Sequence, residues 1–307
     1  MRPPMRPPMR DQILAELMKS RTRWLPYVLL VVLLLGAGVQ VWLFGYTIWW
    51  DLHNESGPQV RGDLPEAIRA FVLPWALPAL LDAGQFWGSM IVGVFIASGI
   101  ATEYNWGTAR QAISRGQSRN QWLTVKLLGL ALFCAILLLS ALAFGVVSML
   151  WTSSLAGYAI TLDPPGAADM SALDVVFVIL RAGFGVLPYA LLAFAITVIG
   201  RSTALGSTGI ILFVIIEGTL NSIFGALGGT WADIRTLSIE HNVSSLLAAN
   251  RVDDGEYLSI AFRESPRASE LPDPWVAFFV LCLWCAALLS ATYYVFNKRD
   301  LRLGTGE

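Results

Sequence analysis

The chain has 307 residues, of which 55% are hydrophobic and 14% are charged, and its mean hydropathy is +0.59. A soluble domain typically carries about 25% charged residues, so this composition excludes an ordinary soluble domain and indicates a polytopic membrane protein. The net charge of −1 excludes little, because in such a protein the position of each charge matters more than the sum.

Residues 1–23 are predicted to form a cytoplasmic tail followed by an interfacial helix. The stretch MRPPMRPPMR is a proline-rich repeat, typical of disorder, and it lacks the apolar core of a signal peptide. The next stretch, 11–23, has apolar residues at helical spacing and then three cations. It is either a helix lying on the cytoplasmic leaflet or a plain basic flank of the first span.

Six apolar segments are long enough to cross a membrane, which requires about 20 residues. They are predicted at Trp24–Trp50, Gln85–Thr102, Trp122–Trp151, Ala172–Gly200, Ala204–Leu227 and Trp275–Phe296. Tryptophans lie near many of their ends, as in the aromatic belts of membrane proteins. We therefore expect an all-α membrane protein with a six-span domain over 24–302 and a C-terminal tail over 303–307.

The distribution of lysine and arginine predicts the orientation. The N-terminus, the 103–126 insert, the turn after the fourth span and the C-terminus together hold 14 of the 21 cations, whereas the opposite loops hold six. By the positive-inside rule both termini are expected in the cytoplasm. We expect a multi-pass protein of the plasma membrane.

Two outer segments have structural signals of their own. The apolar stretch 71–81 contains Pro74 and Pro78 and is too short to span alone, which predicts a re-entrant or interfacial segment. The longest outer loop, 228–273, is predicted to carry a surface helix over 238–249.

Two ionisable side chains, Arg181 and Glu217, lie deep in the predicted fourth and fifth spans. Charges at such positions are usually paired or face a cavity, and we predict a direct contact between these two. Arg181 could instead extend to the outer interface, and Glu217 could face a substrate. Asn221, one turn beyond Glu217, could share its hydrogen bonds.

The predicted second span has small residues at every fourth position. Such a ridge lets another helix approach closely, and the partner could be in this chain or in a second copy. The ridge residues are Ser89, Gly93, Ala97 and Ala101.

The insert between the second and third spans reads EYNWGTARQAISRGQSRNQWLTVK. A helix through it would place Trp106, Ala109, Ile113 and Gly116 on one side, with polar and basic residues around the remainder. Gly116 could end this helix, and the serine at 118 could cap the next. Such a helix could lie on lipid headgroups or dock on a partner protein.

The insert resembles the cytoplasmic loop of type-2 ABC transporter permeases, the six-span membrane subunits of bacterial ABC exporters. The resemblance depends on three patterns in the insert and on the C-terminal ending. These are Glu103-Tyr104-x-x-Gly107-Thr108-x-Arg110, Ser114-Arg115-Gly116-x-Ser118-Arg119, Lys126-Leu127-Leu128 and Phe296-Asn297-Lys298-Arg299-Asp300-Leu301. The six-span topology and the long last outer loop are also similar.

The resemblance implies that the loop 103–121 carries a short coupling helix that docks on an ATPase subunit. Trp106 and Ile113 would then face a cleft on the ATPase, and the arginines would contact its acidic rim or lipid phosphates. Glu103 would hold the helix end by pairing with a base, and Gly107 would allow the chain to reverse. A generic basic loop is the alternative. The implied coupling residues are Glu103, Trp106, Gly107, Thr108, Arg110, Ile113, Arg115, Gly116, Ser118, Arg119 and Lys126.

By the same resemblance, the chain is the permease subunit of an ABC exporter rather than an enzyme. The sequence has no Gly-x-x-x-x-Gly-Lys-Ser/Thr run to hold nucleotide phosphates, so ATP and Mg²⁺ would be bound by a separate ATPase. The other expected partners are a second permease copy, identical or not, and the lipid bilayer. No nucleic-acid partner is expected.

No cofactor or metal site is predicted in the chain itself. Its three cysteines lie in apolar runs and are expected to pack as small hydrophobic residues, and its two histidines lie in loops. The rival hypotheses are an ATP-independent carrier, for which no internal repeat is evident, and an intramembrane enzyme using Ser207, for which no span supplies a histidine. The substrate is not identified by the sequence.

Overall fold

The computed structural model describes residues 8–53, 76–155, 171–249 and 271–298, and within these ranges every regular element is a helix. In chain order the α-helices are α1 (Met9–Thr22), α2 (Leu25–His53), α3 (Ala76–Asn105), α4 (Thr108–Ser114), α5 (Arg119–Leu155), α6 (Ala172–Gly200), α7 (Thr203–Leu227), α8 (Thr230–Arg235), α9 (Ile239–Ala248) and α10 (Pro274–Lys298).

Five of these helices are long and apolar enough to cross a membrane. The candidate spans are Gln85–Asn105 in α3, Arg119–Trp151 in α5, and the whole of α6, α7 and α10. They correspond to the second to sixth predicted spans and confirm an all-helical, multi-pass membrane protein. A shorter apolar run, Leu25–Gly36, opens α2.

Helix α3 begins earlier than the predicted second span. It starts at Ala76 and includes Pro78, which lies in the first turn, where a proline removes no intrahelical hydrogen bond. From residue 76 onward the predicted re-entrant segment is therefore wrong, while the interfacial alternative stays a prediction, since the candidate span begins at Gln85. Residues 71–75 lie outside the described ranges.

Helix α3 is the central helix and packs mainly against α6 and α7. A Cβ atom added to Gly93 would lie 2.7 Å from Ile210 Cγ1 and 3.4 Å from Ala193 Cβ. The other members of the small-residue ridge are buried, at 1% exposure for Ser89 and 0% for both Ala97 and Ala101. The ridge therefore serves close packing as predicted, and its partners are helices of the same chain.

The start of α5 and the end of α10 meet at one end of the molecule. Arg119 donates to the backbone oxygens of Phe296 at 3.4 Å and Asn297 at 2.9 Å. The ring of Trp122 stacks on Phe296 with centroids 5.4 Å apart. Since α1 also packs on α5, this end gathers the N-terminal helix, α4 and the end of α10.

Candidate functional site: the helix between the second and third predicted spans

Helix α4 begins at a glycine with left-handed backbone. Gly107 has φ +67°, and no atom would lie within 4 Å of an added Cβ. Glycine is therefore required here by the backbone conformation and not by a lack of space. This left-handed residue makes the chain reversal that was predicted at Gly107. Thr108 follows and donates its hydroxyl to the Glu103 carbonyl at 3.3 Å, which fastens the start of α4 to the end of α3.

Helix α4 ends at a second glycine. Gly116 has φ +92°, its N–H donates to the Ile113 carbonyl at 3.0 Å, and the Gln117 N–H donates to the Ala112 carbonyl at 3.2 Å. This pair of bonds closes a helix at a left-handed residue. The Gln121 N–H then donates to the Ser118 hydroxyl at 3.2 Å, so both the predicted stop and the predicted cap are confirmed.

The outward face of α4 is polar and basic. Ala109 is buried at 2% exposure, and Ile113 is half-buried against the same hydrophobic core. Part of the Ile113 side chain therefore packs on its own chain, and the part that stays exposed is what the predicted docking would use. The exposed residues of α4 and its end are Arg110, Gln111, Ser114 and Arg115.

Trp106 is the large apolar residue that this turn exposes. It precedes Gly107 and is 70% exposed. The guanidinium carbon of Arg23 lies 6.0 Å from its ring centroid, at the outer limit of a cation–π contact. Trp106 is thus accessible to a partner or to lipid. The prediction that Trp106, Ala109, Ile113 and Gly116 share one side of a helix is wrong, because α4 begins after Trp106 and Ala109 is buried.

Four charged side chains, Glu16, Lys19, Glu103 and Lys126, form a closed group that we call the charge cluster. Lys19 Nζ lies 2.9 Å from Glu16 Oε1 and 3.3 Å from Glu103 Oε1. Lys126 pairs with both carboxylates. The side-chain exposures are 3% for Lys126, 5% for Glu103, 12% for Glu16 and 51% for Lys19. The cluster therefore joins α1, the end of α3 and the start of α5.

The charges in the cluster compensate each other. Burial by itself lowers the pKa of Lys19, but the hydrogen bond to Glu16 and the charges of Glu103 and Glu16 outweigh it and raise the pKa. Two cations face two anions, so the cluster is neutral as a whole. It joins three helices, and within it Lys19 is the half-exposed member whereas the other three side chains are at most 12% exposed.

Helix α1 approaches α5 closely beside the cluster. A Cβ atom added to Gly129 would lie 2.7 Å from Glu16 Cβ, so the glycine permits the contact. Gln12 accepts from the side-chain amides of Gln117 at 2.8 Å and Gln121 at 3.4 Å. Helix α1 is therefore fixed to the α4 region by polar bonds along its length.

These contacts divide the predicted coupling residues. Glu103 pairs with a base as predicted, but Glu103 and Lys126 are buried in the charge cluster and Arg119 is bonded to α10. Glu103 and Lys126 are consequently not available for docking, which corrects that part of the prediction, whereas Arg119 is partly exposed. Gly107, Thr108 and Ile113 are partly buried. The exposed members are Trp106, Arg110, Arg115, Gly116 and Ser118.

A second polar site surrounds helix α9. Glu217 accepts at Oε1 from the backbone N–H groups of Ile239 at 2.6 Å and Glu240 at 3.2 Å, and at Oε2 from the Tyr189 hydroxyl at 3.0 Å. The buried carboxylate thus satisfies the free N–H groups at the start of α9. Asn221 donates to Glu240 at 2.9 Å rather than to Glu217.

Arg181 contacts the opposite end of the same helix. Its guanidinium donates to the Ala249 carbonyl at 3.0 Å, just beyond the last residue of α9. Arg181 and Glu217 therefore do not form the predicted direct contact. They lie at the two ends of a ten-residue helix, about 15 Å long, with the anion at its N-terminus and the cation at its C-terminus.

Helix α9 is buried between α6, α7 and α10. Ile239 is 0% exposed and His241 is 4% exposed, and Trp284 of α10 donates to the Leu237 carbonyl at 2.9 Å. The predicted bounds of 238–249 are confirmed, with Ser238 accepting from the His241 N–H as the cap. The expected surface location is wrong.

The sequence did not identify Glu16, Lys19 or Tyr189 as partners in these sites. Glu16 and Lys19 have the i,i+3 spacing of an ion pair within one helix. That spacing does not indicate that Lys19 also contacts Glu103, 84 positions away, or that Glu16 also contacts Lys126, 110 positions away. Within the described ranges, no group of three or more His, Cys, Asp and Glu residues is placed to hold a metal ion.

The profile of a family described as "Protein of unknown function (DUF2705)" matches residues 81–302, more than half of the chain. The chain belongs to the DUF2705 family. The DUF2705 region extends from within α3 past the end of α10, so it includes α4, Glu103, Lys126, Arg181 and Glu217, whereas α1 and α2 precede it. No curated protein matches the chain.

Proposed function

We propose that the chain is the membrane-spanning permease subunit of an ABC exporter, driven by a separate ATPase subunit. One observation carries the proposal: α4 is a short helix between two candidate spans, fixed at both ends by glycines and presenting Arg110 and Arg115 outward. In this proposal α4 is the coupling helix. The working unit contains a second permease copy, identical or different, in the plasma membrane.

The proposal requires six spans with both termini in the cytoplasm. The contacts of the two chain ends support this arrangement: Lys19 pairs with Glu103 at the end of α3, and Arg119 bonds Asn297 at the end of α10. The N-terminal helix and the end of α10 thus lie at one end of the molecule, which is what an even number of crossings would produce. Helix α2, with 29 residues, is long enough to supply the sixth.

In this proposal, the ATPase moves α4, and α4 moves the spans. Thr108 fastens α4 to α3, and Glu103 and Lys126 join the end of α3 to the start of α5. A partner that displaces α4 therefore displaces two spans together. Acidic side chains on the ATPase would pair with Arg110 and Arg115, and ATP and Mg²⁺ would be bound by the ATPase, because the chain has no P-loop run.

Co-purification tests the proposal directly. The full chain is co-expressed with candidate P-loop ATPases from the same organism, purified in detergent, and assayed for bound ATPase and for ATP hydrolysis. We expect a complex that the double substitution Arg110→Glu and Arg115→Glu weakens about tenfold or more, because like charges across an interface repel. Gln111→Ala with Ser114→Ala, on the same face, and Lys298→Glu, an exposed charge reversal at the end of α10, are the controls.

Two results would contradict the proposal. One is the absence of any complex with wild-type chain that is folded and monodisperse. The other is transport by the chain alone in vesicles without ATPase or ATP, which is the behaviour of the rival ATP-independent carrier.

A further inference from the structure

Helix α1 has its polar side turned toward the protein and a partly apolar side turned away from it. Glu16 and Gln12 face α5 and the α4 region through the bonds described above, and Ser20 is buried at 6% exposure. Leu14 and Met18 are 41% and 67% exposed. Ile13 and Leu17 are partly buried, so Leu14 and Met18 are the α1 side chains that an apolar environment outside the bundle would remove from water.

Arginines extend this outward side in both directions. Arg10, Leu14, Met18 and Arg21 follow each other at steps of four, four and three residues, so they form one stripe along the helix. All four are exposed. Asp11 lies on the flank of the stripe and offsets part of its charge. We call these four residues the outer stripe.

The position of α1 relative to α2 identifies what the outer stripe meets. Helix α1 ends at Thr22 and α2 begins at Leu25, so only two residues separate α1 from an apolar helix. Those residues and the next turn contain Trp24 at 74% exposure and Tyr27 at 50%, residue types that are enriched at membrane surfaces. The Tyr27 hydroxyl also donates to the Arg21 carbonyl at 2.8 Å, which fixes the angle between the helices.

We propose that the outer stripe binds phospholipids with anionic headgroups in the leaflet at the α4 end of the molecule. Leu14 and Met18 contact the upper acyl chains, and Arg10 and Arg21 contact lipid phosphates and the negative charge of the headgroups. Glu16, the acidic residue of α1 that faces inward, does not repel these lipids, because Lys19 and Lys126 neutralise it. Basic residues immediately before an apolar helix that enters the membrane are the pattern of a segment that binds anionic lipids.

The binding has a structural consequence for α4. Because α1 is bonded through Glu16 and Lys19 to Lys126 and Glu103, lipids that hold α1 also hold the frame from which α4 projects. The inference does not depend on an ATPase partner, so failure of the co-purification experiment would leave it standing.

Lipid titration followed by native mass spectrometry tests the headgroup preference. The full chain in detergent is titrated separately with phosphatidylglycerol and phosphatidylcholine. We expect tighter binding of phosphatidylglycerol, and a loss of that preference by about fivefold for each arginine removed in Arg10→Gln and Arg21→Gln. Soluble glycerol phosphate is expected not to compete, because it lacks the acyl chains that Leu14 and Met18 contact.

The matched control is Arg110→Gln with Arg115→Gln, which removes the same charge from α4. An equal loss of preference in the control and in the α1 variant would overturn the proposal, since the effect would then be a general one of charge. Absence of any preference in the wild-type chain would overturn it as well. Competition by glycerol phosphate would indicate a phosphate site rather than a lipid site.

Spin labels test the environment of the outer stripe directly, without a substitution that has to weaken lipid binding. In a variant with Cys134, Cys282 and Cys285 replaced by Ala, a nitroxide is placed by Met18→Cys or, as the aqueous control, by Gln111→Cys. In phosphatidylglycerol-containing vesicles we expect oxygen, which partitions into the bilayer, to reach position 18 better than a water-soluble nickel chelate does, with the reverse at 111. Equal behaviour at the two positions would overturn the proposal. Exclusion of both reagents from position 18 would indicate a protein partner instead of lipid and would overturn it too.

Discussion

At the scale of single residues, the buried pair of Glu103 and Lys126 has the largest energetic consequence. Both side chains are at most 5% exposed, and removal of one partner from a buried ion pair typically costs about 3–5 kcal/mol, because the other charge remains buried and unpaired. Here each partner has a second counter-charge, Glu16 or Lys19, which reduces the cost without removing it.

We predict that Lys126→Met destabilises the chain by about 3 kcal/mol, near the lower end of that range. The substitution leaves two carboxylates facing Lys19 alone. Chemical or thermal unfolding in detergent, followed by tryptophan fluorescence, measures the loss. The exposed Lys298 at the end of α10 supplies the control. Its Nζ lies 4.4 Å from the Tyr294 ring centroid, so Lys298→Met should cost at most about 1 kcal/mol.

The double variant with Glu103→Gln and Lys126→Met distinguishes an electrostatic loss from a packing loss. Because it removes one charge of each sign, its loss of unfolding free energy should be smaller than the sum of the two single losses, by about 0.5–3 kcal/mol. If the two single losses of unfolding free energy sum to the loss of the double variant, Glu103 and Lys126 are not coupled, which would contradict the charge cluster.

At the scale of elements, α9 shows which features of a helix could be predicted from the sequence and which could not. Its bounds and its cap at Ser238 were predictable, because an N-cap residue before an amphipathic stretch is a local signal. Its burial was not, because the length of a loop does not show whether it folds back into the bundle. Arg181 and Glu217 were recognised as costly intramembrane charges, yet their shared partner was a helix that had been expected on the surface.

The same limit applies to α4 and α1. Gly107, Gly116 and Ser118 could be predicted, since a left-handed turn and a helix cap depend on the residue itself. The outward direction of Arg110 and the inward direction of Ile113 could not be predicted, because they depend on which side of α4 packs against the core. The link from Glu16 to Lys126 crosses 110 positions, and no spacing rule for a single helix reaches that far.

For α9 we predict that Glu217→Leu loosens the start of the helix much more than Glu217→Gln does. Leucine leaves the N–H groups of Ile239 and Glu240 and the Tyr189 hydroxyl without their acceptor, and each unpaired buried group costs about 1–3 kcal/mol. Glutamine retains a carbonyl oxygen. Hydrogen exchange should therefore be at least about tenfold faster for 239–243 in the leucine variant, with a much smaller change in the glutamine variant.

The amides of α10 serve as the internal control in the same experiment, and their exchange should stay unchanged if the effect is local. Equal protection of 239–243 in wild type and Glu217→Leu would contradict the assignment of Glu217 as the acceptor at the start of α9.

At the scale of the whole molecule, the arrangement of spans was largely predictable and the arrangement of charges was not. Long apolar runs determine helices regardless of their neighbours, so the second to sixth predicted spans correspond closely to α3, α5, α6, α7 and α10. Charges are placed by tertiary contacts. The two ends of the molecule consequently differ: one is joined by the charge cluster and the other by the polar bonds that surround α9.

The end around α9 makes the stability of the whole chain depend on pH. Burial, together with the charge of Arg235, lowers the pKa of His241 from 6.5 to about 4. The unfolded chain therefore takes up a proton below about pH 6.5 that the folded chain does not take up until about pH 4. The contribution of neutral His241 to stability is complete above pH 6.5 and is lost progressively as the pH falls from 6.5 toward 4.

We predict that His241→Gln reduces this dependence, because glutamine has no proton to bind. The measurement is chemical unfolding in detergent between pH 7.5 and pH 4 for wild type and variant. The slopes of the free energy of unfolding against pH should differ by at most about 1.4 kcal/mol per pH unit. Carboxylates contribute equally to both proteins and cancel in the comparison. A His241→Gln variant whose stability declines with acid as steeply as that of wild type would contradict the burial of a neutral histidine in α9.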